Sequence, residues 1–150
     1  MDVFLIIPAS AKPLWFIAAI ALVLGLVLVL LAYVAWSARH SRVEIGSESI
    51  RLVGDFWGRS IPLRSLDLEH ARSFRLASAP EFQPVRRTLG TGLGGYAAGW
   101  FKLRSGEKAL VYLTSWESVV RIPTSEGYSL LLSVAEPEAL LQALRARQAE

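Results

Sequence analysis

Hydrophobic positions are spread unevenly along the chain, and their spacing changes character near Ser37. Before that point, Leu14 to Trp36 is an apolar run of 23 residues without a single charge. As an α-helix rising 1.5 Å per residue it would reach roughly 34 Å, enough to cross a hydrocarbon core about 30 Å thick. The run predicts one transmembrane helix over residues 14–36, with the lipid bilayer as its partner, behind a short N-terminal tail, 1–13. Trp15 at one end and Tyr33 and Trp36 at the other are amphipathic rings that settle at headgroup level. A cleavable signal peptide is the rival reading, since Ala35-Trp36-Ser37 places small residues where a signal peptidase inspects the chain. Against it, the run is longer than the roughly 7–15 residues of a signal core. Only Lys12, set against Asp2, precedes it.

From Val43 onward the pattern alternates with period two, in short runs divided by turn residues, which is the signature of β-structure. Val43–Ile45, Ser49–Val53 and Arg59–Leu63 read as strands of a meander, turned at Gly54–Gly58 and continued through Leu66–Phe74. Ala77–Ala98 reads as a long irregular loop, with Pro80, Pro84 and a concentration of glycine. Alternation resumes in Trp100–Arg104, Lys108–Leu113, Val119–Ile122 and Tyr128–Leu132. Pro137–Arg147 then reads as a helix. Pro137 suits its first turn, Glu136 and Glu138 its positive end, and Arg145 and Arg147 its negative end. Leu140, Leu141 and Leu144 form one apolar stripe, suited to cap the open end of a barrel. The expected architecture is mainly β: an antiparallel barrel of about seven strands with a C-terminal capping helix over residues 43–148. A basic juxtamembrane linker, 37–42, would join it to the transmembrane helix.

Charge adds an orientation. The net charge is +3, and Arg supplies 13 of the 16 basic side chains. Arg39, His40 and Arg42 flank the apolar run on one side against Lys12 on the other, so the C-terminal domain is expected in the cytoplasm, on a single-pass cell-membrane protein. No dense basic stripe is present, and no nucleic-acid partner is expected. The absence of cysteine excludes disulfides and thiolate chemistry. His40 and His70 are the only histidines, neither with carboxylates at ligand spacing, so no metal is expected. No catalytic grouping stands out, and neither an enzyme nor a cofactor is indicated.

Gly90-Thr-Gly-Leu-Gly-Gly95 satisfies G-x-G-x-x-G, but a nucleotide site needs a strand before it and a helix after it. Here a proline-bearing loop precedes and an alternating Trp100-Phe101 segment follows, so the motif reads as a tight backbone path. Beside it, Arg86 and Arg87 next to exposed glycine amides suggest an anion or partner contact, made by Arg86, Arg87, Gly90, Gly92, Gly95 and Tyr96. Adjacent side chains of an extended segment point apart, which counts against joint action by the two arginines. Gly92 and Gly95 are expected to need backbone angles that alanine adopts poorly. Ala21 and Gly25, four apart on the apolar helix, permit close helix approach and a homo-oligomer.

Ile50-Arg-Leu-x-Gly54-x-Phe56-x-Gly-Arg-x-Ile61-Pro-Leu is similar to the opening of a small bacterial PH-domain family. Arg87-Thr-Leu-Gly-Thr-Gly-Leu-Gly-Gly-Tyr96, Ala109-Leu-Val-Tyr-Leu-Thr114 and Ile122-Pro-Thr-x-x-Gly-Tyr128 resemble later parts of it, in the same order. The resemblance runs over roughly residues 43 to 145, and a preceding transmembrane segment fits family members. It implies a PH-like fold at a bacterial membrane and no catalytic residue. PH domains that bind phosphoinositides place basic residues around the first hairpin loop, which here is the polar, acidic Gly46-Ser-Glu-Ser49. The functional expectation is therefore a non-enzymatic, membrane-anchored interaction or scaffold module. It would offer a sheet edge, or the Ala77–Ala98 segment, to a membrane or cytoplasmic protein partner. The alternative is an anionic-lipid sensor, with Arg59, Arg64 and Lys102 near the bilayer.

Overall fold

The computed structural model describes residues 10–54 and 56–150. Most of the expected N-terminal tail, residues 1–9, lies outside the described residues. The chain divides into two compact units, residues 1–36 and 37–150.

Helix α1 spans Lys12–His40, 29 residues. Its apolar stretch has a mean hydropathy of 3.1, and it is long and apolar enough to cross a membrane. Leu, Ile and Val side chains along it are exposed all round, without the one-sided stripe of a helix lying on a soluble core. Gly25 has open space where a side chain would stand. Most of the expected linker, 37–42, is helical. Helix continues through His40 because Ser37, Ala38 and Arg39 offer no breaker, and Arg42 already begins the first strand.

Among the described residues, the second unit holds nine strands in two sheets. The smaller is a meander of β1 (Arg42–Ile45), β2 (Ser49–Val53) and β3 (Ser60–Pro62). Ile45 faces Ile50, which faces Ile61 across the next pair. The larger contains β4 (Arg72–Phe74), β5 (Pro84–Leu93), β6 (Tyr96–Leu103), β7 (Lys108–Leu113), β8 (Val119–Pro123) and β9 (Ser129–Ser133). Their spatial order is β4-β8-β9-β7-β6-β5. The expected antiparallel barrel of about seven strands takes the form of nine strands in two sheets that do not close into one barrel. One pairing, β7 with β9, is parallel. The reason lies in the residues. Ala109 to Leu113 and Leu130 to Leu132 are continuous apolar runs rather than alternating ones, and both are buried on both faces, as central strands must be.

One face of the large sheet carries Phe101, Leu103, Val111 and Leu131. They are covered by Leu76 and Phe82 from the 3₁₀ turns Leu76–Ser78 and Pro80–Phe82. Leu110, Leu130 and Leu132 point the other way and are equally buried. Helix α2 (Pro137–Gln148) buries Leu141 and Leu144, while Leu140 stays half-exposed, so the expected three-leucine stripe narrows to two. Gln148 donates to the carbonyls of Leu63 at 2.9 Å and Leu66 at 3.0 Å, and Ser73 on β4 hydrogen-bonds Glu138. These bonds seat the helix against the 3₁₀ turn Leu63–Ser65 and beside β4.

Candidate functional site

The segment expected as a loop, Ala77–Ala98, is mostly ordered structure, and its centre is the ten-residue edge strand β5. Its alternation is hidden because one face is occupied by Gly90 and Gly92, which have no side chains to report it. The hairpin turn Gly94-Gly95 was the available signal, since a glycine pair between two runs favours a tight β-turn. Gly95 has φ +82° there, so the expected demand for positive φ holds at Gly95. At Gly92 it does not: φ is not positive, and an added Cβ would meet only the Arg87 guanidinium at 3.6 Å and the Phe101 ring at 4.0 Å. The tight place is one pair away. Gly90 faces Gly99 across β5 and β6, Gly99 has φ +116°, and a Cβ on Gly99 would stand 2.5 Å from the Gly90 Cα. These two glycines let the backbones approach where no larger residue fits. With strand on both sides of it, the G-x-G-x-x-G run lacks the helix a nucleotide site requires.

Register assigns each side chain a face. Arg87 pairs with Phe101, on the face of the cluster under the 3₁₀ turns, whereas Arg86 pairs with Lys102 on the other. The two arginines therefore do not converge on one anion. Tyr96, paired with Leu93, is buried. It lines a cavity of about 330 Å³ with Leu52, Tyr112, Leu132, Arg39 and Arg42. Of the six expected contact residues, Arg86, Arg87, Gly90 and Gly92 share β5, Gly95 turns the hairpin, and Tyr96 leaves the surface. Among the expected membrane-flank residues, Trp15 and Trp36 are exposed on α1, and Tyr33 meets Trp36 with ring centroids 6.3 Å apart. Arg39 is exposed in the last helical turn, and Arg42 bonds Glu44 at 2.7 Å.

The face that carries Arg86 also holds Arg59, expected above near lipid, and Trp100, Lys108 and Tyr128, to which the sequence assigned no binding role. Lys108 Nζ lies 4.5 Å and Arg59 Cζ 5.3 Å from the centroid of the Trp100 ring. Tyr128 meets the same ring edge-on, centroids 5.0 Å apart. Burial raises the Tyr128 hydroxyl above its ordinary pKa, Glu126 adds to the rise, and Arg59 opposes it. Arg59, Arg86, Lys102 and Lys108 form no ion pair among the described residues. Along the outer edge, Leu89 and Leu93 are 58% and 52% exposed, on the same side of β5 as Thr91. Trp100, Lys108, Leu89 and Leu93 became legible as a group only once β5 was seen to be a strand in register with β6.

Two open antiparallel-rich sheets followed by a C-terminal helix define a PH-like fold. The family model of the bacterial PH domain matches residues 39–148, and the chain belongs to that family. PH domains are interaction modules and generally not catalysts. Comparison with curated proteins and with solved structures finds no match.

Proposed function

We propose that this protein is a non-enzymatic, membrane-tethered interaction module that binds a protein partner at the edge strand β5. In this reading α1 crosses the cell membrane through residues 14–36, and the PH-like domain stands on the cytoplasmic side. Arg39 and Arg42 against Lys12 support that orientation. The observation that carries the binding reading is β5 itself. It is ten residues long, has no strand paired on its outer side among the described residues, and exposes Leu89 and Leu93. An edge strand offers a row of free backbone donors and acceptors, and a partner segment can add to it as a further strand.

A photo-reactive side chain placed at Thr91 of the full chain in its native membrane should yield a protein adduct. The same group at Arg72, on the opposite sheet edge, should yield none. Equal adducts at both, or none at Thr91, would remove β5 as the binding surface. For orientation, alkaline phosphatase fused after Glu150 should be inactive and a fluorescent protein there bright. The opposite result reverses the topology.

A further inference from the structure

Resting on the edge-binding reading above, we infer that the partner segment is a short extended strand, apolar at alternate positions beside Leu89–Leu93 and acidic where it passes Arg86. Five consecutive residues, Leu89 to Leu93, keep unbroken register with β6, whereas β5 is irregular on either side of Arg86. The regular run is therefore where a new strand can pair, about 4.8 Å from β5. On the Trp100 side, its alternate residues meet Leu89, Thr91 and Leu93. On the other side, Gly90 and Gly92 carry no side chain of their own, and the Arg87 guanidinium lies 3.6 Å from where a Gly92 Cβ would stand.

The charge of the partner follows from what surrounds Arg86. Arg86, Lys102 and Lys108 occupy directly facing positions on β5, β6 and β7. Three like charges thus stand in a row on one face, with neighbouring Cβ atoms about 5 Å apart. Like charges placed opposite one another destabilise a sheet. None of the three has an ion-pair partner among the described residues. Lys108 and Arg59 are instead held on the Trp100 ring. Such a row is unfavourable in the isolated domain and becomes favourable when an external anion completes it. An acidic side chain on the added strand would have Arg86 as its cross-strand neighbour and Lys102 one strand further in. A second copy added as a parallel strand in register would set Arg86 against Arg86, which disfavours that pairing of β5 with itself.

The test uses the full chain in phosphatidylcholine nanodiscs. The probes are synthetic peptides with an alternating valine–threonine half and a glutamate half, compared with versions carrying glutamine or lysine for glutamate. The glutamate peptide should bind about tenfold more tightly than the glutamine peptide at low salt, and the gap should close as ionic strength approaches about 0.5 M. Arg86→Gln and Lys102→Gln should each shrink the gap several-fold with no fall in Tm. Leu89→Lys should weaken both peptides alike. Equal binding of glutamate and glutamine peptides overturns the acidic preference and leaves edge binding intact. If no peptide binds, edge binding falls with it. Two further outcomes overturn the inference: loss of glutamate-peptide binding when phosphatidylglycerol is added, which assigns the cations to lipid, and a dimer dispersed by Leu89→Lys.

Discussion

β4 and β5 end the same six-stranded sheet, yet one is three residues long and the other ten. The short edge is sealed. Helix α2 lies beside it through the Ser73–Glu138 hydrogen bond, and Arg72 rests over the Phe82 ring at 5.0 Å. Cations on that side have acids: Arg121 bonds Glu107 at 2.8 Å, and Arg75 lies 3.5 Å from Glu117. The long edge is open, its leucines exposed, and the cations beside it have no ion-pair partner among the described residues. Natural sheets blunt their edges by shortness, cover, bulges and charge. β4 is short and covered; β5 has only bulges and charge, and both leave Leu89–Leu93 free. The difference separates a side of the domain that is packed from one that is open, and the proposed binding surface rests on the open one.

The largest effect should come from uncovering the sealed side. Leu144→Asp places an unpaired carboxylate at a fully buried position and should lower stability by about 4 kcal/mol, read by chemical denaturation. A mutant as stable as the parent would mean that α2 does not pack there.

On the open side, the sensitive position should be internal. Gly99→Ala forces a side chain against the Gly90 backbone at positive φ and should cost about 2–3 kcal/mol. Gly92→Ala, which meets only ordinary contacts, should change stability by less than about 0.5 kcal/mol. Equal losses at both would show that glycine is required along all of β5.

Charge removal should act in opposite senses on the strands next to the two edges, β8 and β6. Arg121→Ala strands a partly buried Glu107, which also holds Ser129, and should cost about 2 kcal/mol. Lys102→Gln removes the middle of the cation row and should raise stability by about 0.5 kcal/mol at low salt. A loss on Lys102→Gln would mark that lysine as structural.

The smallest effect concerns pH. The folded Tyr128 keeps its proton above the ordinary tyrosine range, while the unfolded chain releases it near pH 10. The stability this contributes is therefore complete below about pH 10 and lost as pH rises through the folded value. Tyr128→Phe should flatten that alkaline decline, as followed by denaturant midpoints between about pH 9 and 11. An unchanged slope would mean that the hydroxyl titrates normally.

Much of this fold was legible from spacing alone. The meander β1–β3, the strands β6 to β9 and helix α2 appear within a few residues of where alternation and capping residues place them, because each buries one or both faces. Two things were hidden. β5 buries little, so it has no hydrophobic period to read, and its glycines imitate a loop. The parallel pairing of β7 with β9 depends on which strand lies between which, a matter of long-range packing that Leu130-Leu-Leu132 only hints at. The candidate site was half visible. Arg86 and the glycines stand out in the chain, but their alignment with Lys102, Lys108 and Trp100 exists only in register across three strands.

Amide hydrogen exchange on the full chain in nanodiscs tests the open edge most directly. Without partner, the outward-facing amides of Leu89 to Leu93 should exchange much faster than those of Lys108 to Leu113, and they should gain protection when the glutamate peptide is added. Amides of Arg72 to Phe74 should be unaffected by the peptide. Full protection of the Leu89–Leu93 amides before any peptide is present would mean that the edge is already covered, and would contradict the account.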